Sequence, residues 1–121
     1  MTREPFWYLA SPYSNYKGGR VAAFEEVSTV AAHLITRGLR IFCPIAHTHP
    51  IAVYGNIDDE VGDLDFWLGV DGPFMDAAVG LIVLKMDGWT ESEGVKAEIK
   101  RFRADQKPIL YMEGPLYDEG V

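Results

Sequence analysis

The chain has 121 residues, 48% of them hydrophobic, with three Trp, six Tyr and six Phe; that suffices to close one core, and a single domain over residues 1–121 is expected. A net charge of -7 and a pI near 4.8 run against binding of long nucleic-acid backbones or anionic membrane surfaces, both of which reward clustered Lys and Arg. A small-molecule partner is expected instead, with no nucleic acid polymer and no membrane.

Cys43 is the single cysteine, so no internal disulfide can form, and its place after Ile41 and Phe42 suits a buried strand residue. No signal peptide precedes the first apolar run, and no apolar stretch approaches the roughly 20 residues of a membrane span. The expected location is cytoplasmic.

In chain order, Phe6 to Ala10 is short, aromatic and apolar, and the turn formers Ser11 to Asn15 end it; this predicts a first strand and its loop. From Val21 the residues Phe24, Val27, Ala31, Leu34 and Ile35 recur at helical spacing, and Gly38 supplies the stop. Leu39 to Pro44 reads as a second strand. Ile45 to Asn56, with two histidines, a proline and a glycine, reads as a structured loop or short helical turn. Val61 to Ala78 reads as helical, kinked or restarted at Gly72 and Pro73.

Val79 to Met86 contains four consecutive large aliphatic residues, as in a central parallel strand covered on both faces. Thr90 to Glu93 has the T-x-x-E form of a capping box and opens a helix to about Ala104, and Pro108 to Tyr111 is one more strand. The tail Glu113 to Val121 is expected to be ordered by a neighbouring subunit. The alternation predicts an α/β fold: a three-layer α/β/α sandwich with a mostly parallel, flavodoxin- or Rossmann-like sheet of four to five strands, and ligands at the carboxyl ends of those strands.

Two acids fall where apolar side chains are expected. In the last helix Val95, Ile99 and Phe102 define the buried stripe, and Glu98 lies about 60° from Val95 and about 40° from Phe102 at 100° per residue. Its carboxylate therefore leaves the helix beside the apolar face, where it lines a cleft or reaches solvent at the edge of the stripe. In the preceding helix Asp71 falls among Leu64, Trp67, Leu68, Phe74, Met75 and Ala78. It faces inward, or it caps a helix restarted at Gly72 and Pro73. Two carboxylates are what cleavage of a glycosidic bond needs, one at the anomeric carbon and one to manage a proton.

The loop Ser11 to Asn15 carries hydroxyls and amides but neither a G-x-G-x-x-G nor a P-loop pattern. Ser92 and Gly94 lie in the first turn of the last helix, whose unpaired N–H groups suit an anion. His47 and His49 resemble a metal pair, but alternate residues of a strand diverge and no further ligand motif completes a site; a packing or substrate-lining role is expected, and no metal or cofactor. Trp67, Trp89, Tyr8 and Phe74 have faces suited to stacking on a base, and core packing is the competing role.

The combination Tyr8-Leu-Ala-Ser-Pro-Tyr13-Ser14, Cys43-Pro-Ile-Ala-His47-Thr-His49-Pro-Ile-Ala52, Phe66-Trp67 with Asp71 and Phe74, Leu81-Ile-Val-Leu84 with Gly88-Trp89, and Ser92-x-Gly94-Val95-x-x-Glu98-Ile99 resembles a small bacterial and phage domain family that looks like a branch of the nucleoside 2-deoxyribosyltransferase superfamily. It is also similar to the deoxynucleoside 5'-monophosphate N-glycosidases of that superfamily. The resemblance covers about Phe6 to Leu110, and the Ser92-to-Glu98 spacing is its most specific part.

The resemblance implies N-glycosidic bond cleavage or transfer on a nucleoside or nucleoside 5'-monophosphate, with Glu98 attacking the anomeric carbon, Asp71 assisting at the base or sugar, and Tyr8 orienting the glutamate. Ser92, with Ser11 or Ser14, is the implied phosphate contact; His47 as a lining residue, Trp67 as a stacking face and Gly94 in the first turn of the last helix complete the expected substrate-binding set. Transferases of the superfamily often carry aspartate where Ser92 stands, and the acidic residue common at the start of the central strand is replaced here by Val79. The resemblance also implies a homodimer or homotetramer with sites completed across subunits. A non-catalytic nucleotide-binding or signalling module using the same cleft is the competing function.

Overall fold

A computed structural model describes residues 4–114, which form four helices around a four-stranded, all-parallel sheet of order β2-β1-β3-β4. The expected α/β/α architecture is the one observed. Strand β1 (Trp7–Ala10) pairs with β2 (Ile41–Phe42) on one side and with β3 (Gly80–Lys85) on the other, and β4 (Ile109–Glu113) closes the far edge.

The two central strands sort their side chains by the period-two rule. Leu9, Ile82 and Leu84 pack with Ala23, Val27 and Val30 of α1 (Arg20–Thr36) and Ile45 of α2 (Pro44–Tyr54). Tyr8, Ala10, Leu81 and Val83 face the other way, onto Met75 of α3 (Leu64–Ala77) and Val95 and Phe102 of α4 (Glu93–Ala104). β3 is buried from Gly80 to Leu84, which is why its sequence is continuously apolar.

Helix ends follow local chemistry. Gly38, with φ 97°, closes α1: its N–H reaches Ile35 O at 3.0 Å, and Leu39 N–H reaches Leu34 O at 3.2 Å, the paired bonds of a Schellman stop. Asn56 (φ 51°) and Gln106 (φ 57°) take the equivalent left-handed position after α2 and α4.

Three local expectations differ from the structure. Residues 44–54 are an 11-residue helix, because Pro44 occupies the first helical position, where no N–H is needed, and Asn56 supplies the stop; β2 shortens to two residues accordingly. The 61–78 segment is capped by Asp63, whose carboxylate accepts from Phe66 N at 2.9 Å, and α3 then runs without a break through Gly72 and Pro73. Asp71 is therefore no cap. The T-x-x-E box does not form: Ser92 caps α4 by accepting from Val95 N at 3.2 Å, while Thr90 turns its hydroxyl to Glu91. The tail from residue 115 onward lies outside the described residues. Among the described residues no helix is long and apolar enough to cross a membrane.

Candidate active site

Chain order reverses across the sheet between β1 and β3, and the loops that follow them, residues 11–19 and 86–92, part there. Such a switch point leaves a crevice above the carboxyl ends of the strands. Asn15 ties the loops together by donating from Nδ2 to Gly88 O at 2.8 Å. Gly88 has φ 89°, and a Cβ there would lie 2.9 Å from Asn15 Nδ2. Gly88→Ala is expected to cost about 1–2 kcal/mol, read as a fall in the denaturant midpoint at unchanged m-value.

Beneath these loops lies a cleft of about 460 Å³, within the usual range for small-molecule sites. One face of each neighbouring helix lines it. α2 contributes Ile45, Thr48 and Ala52, and α3 contributes Leu64, Trp67, Leu68 and Asp71, both at the three- and four-residue steps of a helix. α4 presents Ser92, Glu93 and Gly94 at its N-terminus and Glu98 one turn below.

At the floor, Tyr8 donates its hydroxyl to Glu98 Oε2 at 2.6 Å. Tyr8 is fully buried between the rings of Phe42 and Phe102 at 5.8 and 5.6 Å, so the donor is fixed by packing on both sides. Glu98 and Asp71 are 7% and 6% exposed, and both line the cleft. The helix wheel left Glu98 either beside the core or in solvent; it is inside. Asp71 Oδ1 is buried with no hydrogen-bond partner, and so is Ser11 Oγ at the end of β1. Unsatisfied buried oxygens cost free energy, and both residues belong to the lining of the space a ligand would fill.

Burial decides the protonation of this group. It pushes the Glu98 carboxyl up to about 8, the hydrogen bond from Tyr8 pulling the other way and the charge of Asp71 adding to the rise. Burial likewise lifts Asp71 to about 6, moderated by the Tyr8 hydroxyl, and drives the Tyr8 phenol far above its ordinary value, with the two carboxylates contributing. One neutral hydrogen bond thus does not outweigh desolvation where, among the described residues lining the cleft, the one cation, Arg20, is paired with Asp59. Between about pH 6 and about pH 8 the pair holds one proton. A neutral acid beside a carboxylate is the pairing that glycosidic chemistry uses.

The remaining candidates divide. Ser11, Ser14, Trp67, Ser92 and Gly94 line the cleft. His47 does not: it is exposed and packs on Phe42 and Phe74 at 5.7 Å. Two residues apart on a helix diverge by about 200°, so His49 points elsewhere, buried on Phe24 with its Nδ1 2.6 Å from the Tyr13 hydroxyl. Among the described residues no group of three or more His, Cys, Asp or Glu is gathered as metal ligands. Thr48 occupies the lining position that reading α2 as a loop assigned to His47.

Arg20 and Asp59, bonded at 2.8 Å, also line the cleft and carry no local sequence signal. Val79 precedes β3 at the amino end of the sheet, its N–H on Phe6 O at 2.9 Å, remote from the carboxyl-end cleft.

Fold and site define a class: a parallel, Rossmann-like α/β domain with a buried carboxylate pair in its switch-point cleft. The chain belongs to the family described as a domain of unknown function, DUF1937, whose model matches residues 6–114. A search of curated proteins gave no match.

Proposed function

We propose that this chain is an N-glycosidase or nucleoside deoxyribosyltransferase-like enzyme, acting on a nucleoside or nucleoside 5'-monophosphate through a covalent glycosyl ester on Glu98. The observation that carries the reading is the buried Glu98 carboxyl, oriented by Tyr8 at 2.6 Å and sharing a nucleoside-sized cleft with a second buried acid. The resemblance to the nucleoside 2-deoxyribosyltransferase superfamily supports it.

In this reading Glu98 Oε attacks the anomeric carbon as the C–N bond breaks, the bonding pair passing to the base nitrogen, which takes a proton from Asp71. Water then attacks the same carbon, gives its proton to Asp71 and frees Glu98; a second base in place of water gives transfer. Tyr8 holds Glu98 on line and is a positioning residue. In the empty cleft the shared proton favours Glu98, the more strongly raised acid, so it must pass to Asp71 or to the bound base before attack. The chemistry runs in residues of this chain without a cofactor. Completion of the site by a second subunit, in a homodimer or homotetramer, belongs to the same proposal.

The direct test is to incubate the protein with a panel of nucleosides and nucleoside 5'-monophosphates, with and without a free acceptor base, and follow base release by chromatography. Release of at least one base is expected. Saturable binding without release over long incubation would instead identify a nucleotide-binding module.

The proton count gives a second expectation. Below about pH 6 both acids are protonated and no nucleophile exists; above about pH 8 both are ionised and no acid exists. Base release should follow a bell with limbs near those values, read from initial rates across pH. In Tyr8→Phe the basic limb should move upward, because the bond that favours ionised Glu98 is gone.

A further inference from the structure

The cleft is unbalanced in charge. Asp59, Asp63, Asp71, Glu91, Glu93 and Glu98 line it, against one cation, Arg20. Arg20 is already committed: Nη1 bonds Asp59 at 2.8 Å, Nη2 bonds Ser14 Oγ at 3.1 Å, and the guanidinium lies over the Tyr13 ring at 5.3 Å. Glu93 has Lys96 at 3.3 Å, on the outer side of α4. Once these two pairs cancel, Asp63, Glu91 and the inner pair have no cation among the cleft-lining residues. Asp63 spends one oxygen capping α3, which leaves its charge in place.

The positive ends of α1 and α4 offset part of this field, and Ser92 and Glu93 at the start of α4 already occupy that end. Trp67 and Leu68 of α3 add an aromatic and aliphatic part to the same lining, between Asp63 and Asp71 along that helix. Asp71 and Ser11, each with a buried side-chain oxygen that has no hydrogen-bond partner, belong to the same lining. Carboxylates sharing a cleft with an indole are the recognition chemistry of a delocalised organic cation, and low-dielectric walls focus such a field.

Resting on the N-glycosidic reading above, we infer that the preferred substrate carries a positively charged heterocycle, a pyridinium- or N-alkylpurinium-type nucleoside, held between Trp67 and the acidic rim. Such a leaving group also suits the site. When Glu98 Oε bonds to the anomeric carbon and the C–N pair passes to the ring nitrogen, ring charge and carboxylate charge cancel, and the heterocycle departs neutral without a proton. The bound cation displaces the shared proton to solvent, so both acids are ionised; water then adds at the anomeric carbon, its proton passes to the Asp71 carboxylate and on to solvent, and the Glu98 carboxylate is restored.

The test uses a matched pair of probes, nicotinamide riboside and its uncharged reduced form, which differ in ring charge at nearly constant size. Binding is measured by calorimetry on Glu98→Gln, and base release on the wild type. The cationic nucleoside should bind at least about tenfold more tightly than the neutral one, with the preference shrinking as salt rises and in the added Asp63→Asn, Glu91→Gln variant, where asparagine retains the cap. Equal affinities, absence of saturable binding by either, or tighter binding of inosine 5'-monophosphate that Arg20→Ala removes would each overturn the inference. Base release from neutral nucleosides without a charge preference would sink this inference and leave the N-glycosidic reading standing. A charge preference with no base release from any probe would overturn the N-glycosidic reading and, with it, the assignment of a substrate, leaving a cleft that only binds organic cations.

Discussion

Glu98→Gln should melt roughly 10 °C above the wild type at pH 8.5 and within a few degrees of it at pH 4.5. The reason is that both cleft acids hold their protons to higher pH in the folded chain than in the unfolded one: Glu98 to about 8 against 4.5, and Asp71 to about 6 against 3.8. The folded state binds more protons, so stability is greatest in acid and falls as pH rises from the unfolded values to the folded ones. Above about pH 8 the whole cost of a buried, cation-free carboxylate is present. An amide carries no such cost and still accepts the Tyr8 hydroxyl, so the substitution recovers about 2–4 kcal/mol, or several degrees per kcal/mol in a domain of this size. Scanning calorimetry at the two pH values checks it. A wild type that outlasts Glu98→Gln at pH 8.5 would mean that the folded chain neutralises Glu98 by a partner from another molecule.

The same substitution should lower base release by about 10⁴-fold or more, the scale on which loss of a covalent nucleophile is felt. Asp71→Asn should cost about 10²- to 10⁴-fold through lost proton transfer and flatten the basic limb of the pH profile, leaving the acidic limb set by ionisation of Glu98. Tyr8→Phe should cost less, because the packing of the ring between Phe42 and Phe102 survives and the hydroxyl alone is lost. Initial rates of the three variants at pH 7 rank the roles. A gain in stability with a loss of activity at one residue is the trade expected where a group is kept for chemistry against its solvation.

Much of this arrangement is legible in the residues themselves. The short apolar run of β1, the aliphatic run of β3 and the stripes of α1 and α4 carry the sheet and its layers, because each reflects burial that the sequence must match. Helical phase places Asp71 and Glu98 at the apolar stripes of α3 and α4, but a cap at Asp71 and a solvent edge at Glu98 fit the same phase, and only the packed structure turns both inward. The local misreadings share one cause: Pro, Gly and Asp act by position. Pro44 starts a helix, Pro73 sits inside one, and Asp71 two residues before it lies in the interior of a helix that Asp63 opens.

Reading α2 as a loop hid the Ile45, Thr48 and Ala52 face and offered His47 for the cleft; the heptad-like spacing of those three residues is the signal that was available. Nothing local brings Arg20 to Asp59, 39 residues away, or Asn15 to Gly88, 73 residues away. Those contacts arise from sheet order, which periodicity does not encode.

The most direct measurement of the central claim is acid quenching of the wild type during turnover on the panel of nucleosides and nucleotides, followed by mass spectrometry of its peptides. A glycosyl adduct on the peptide bearing Glu98, absent from Glu98→Gln, is the predicted result. Base release that continues in Glu98→Gln, or that proceeds with an adduct on another residue, would contradict it.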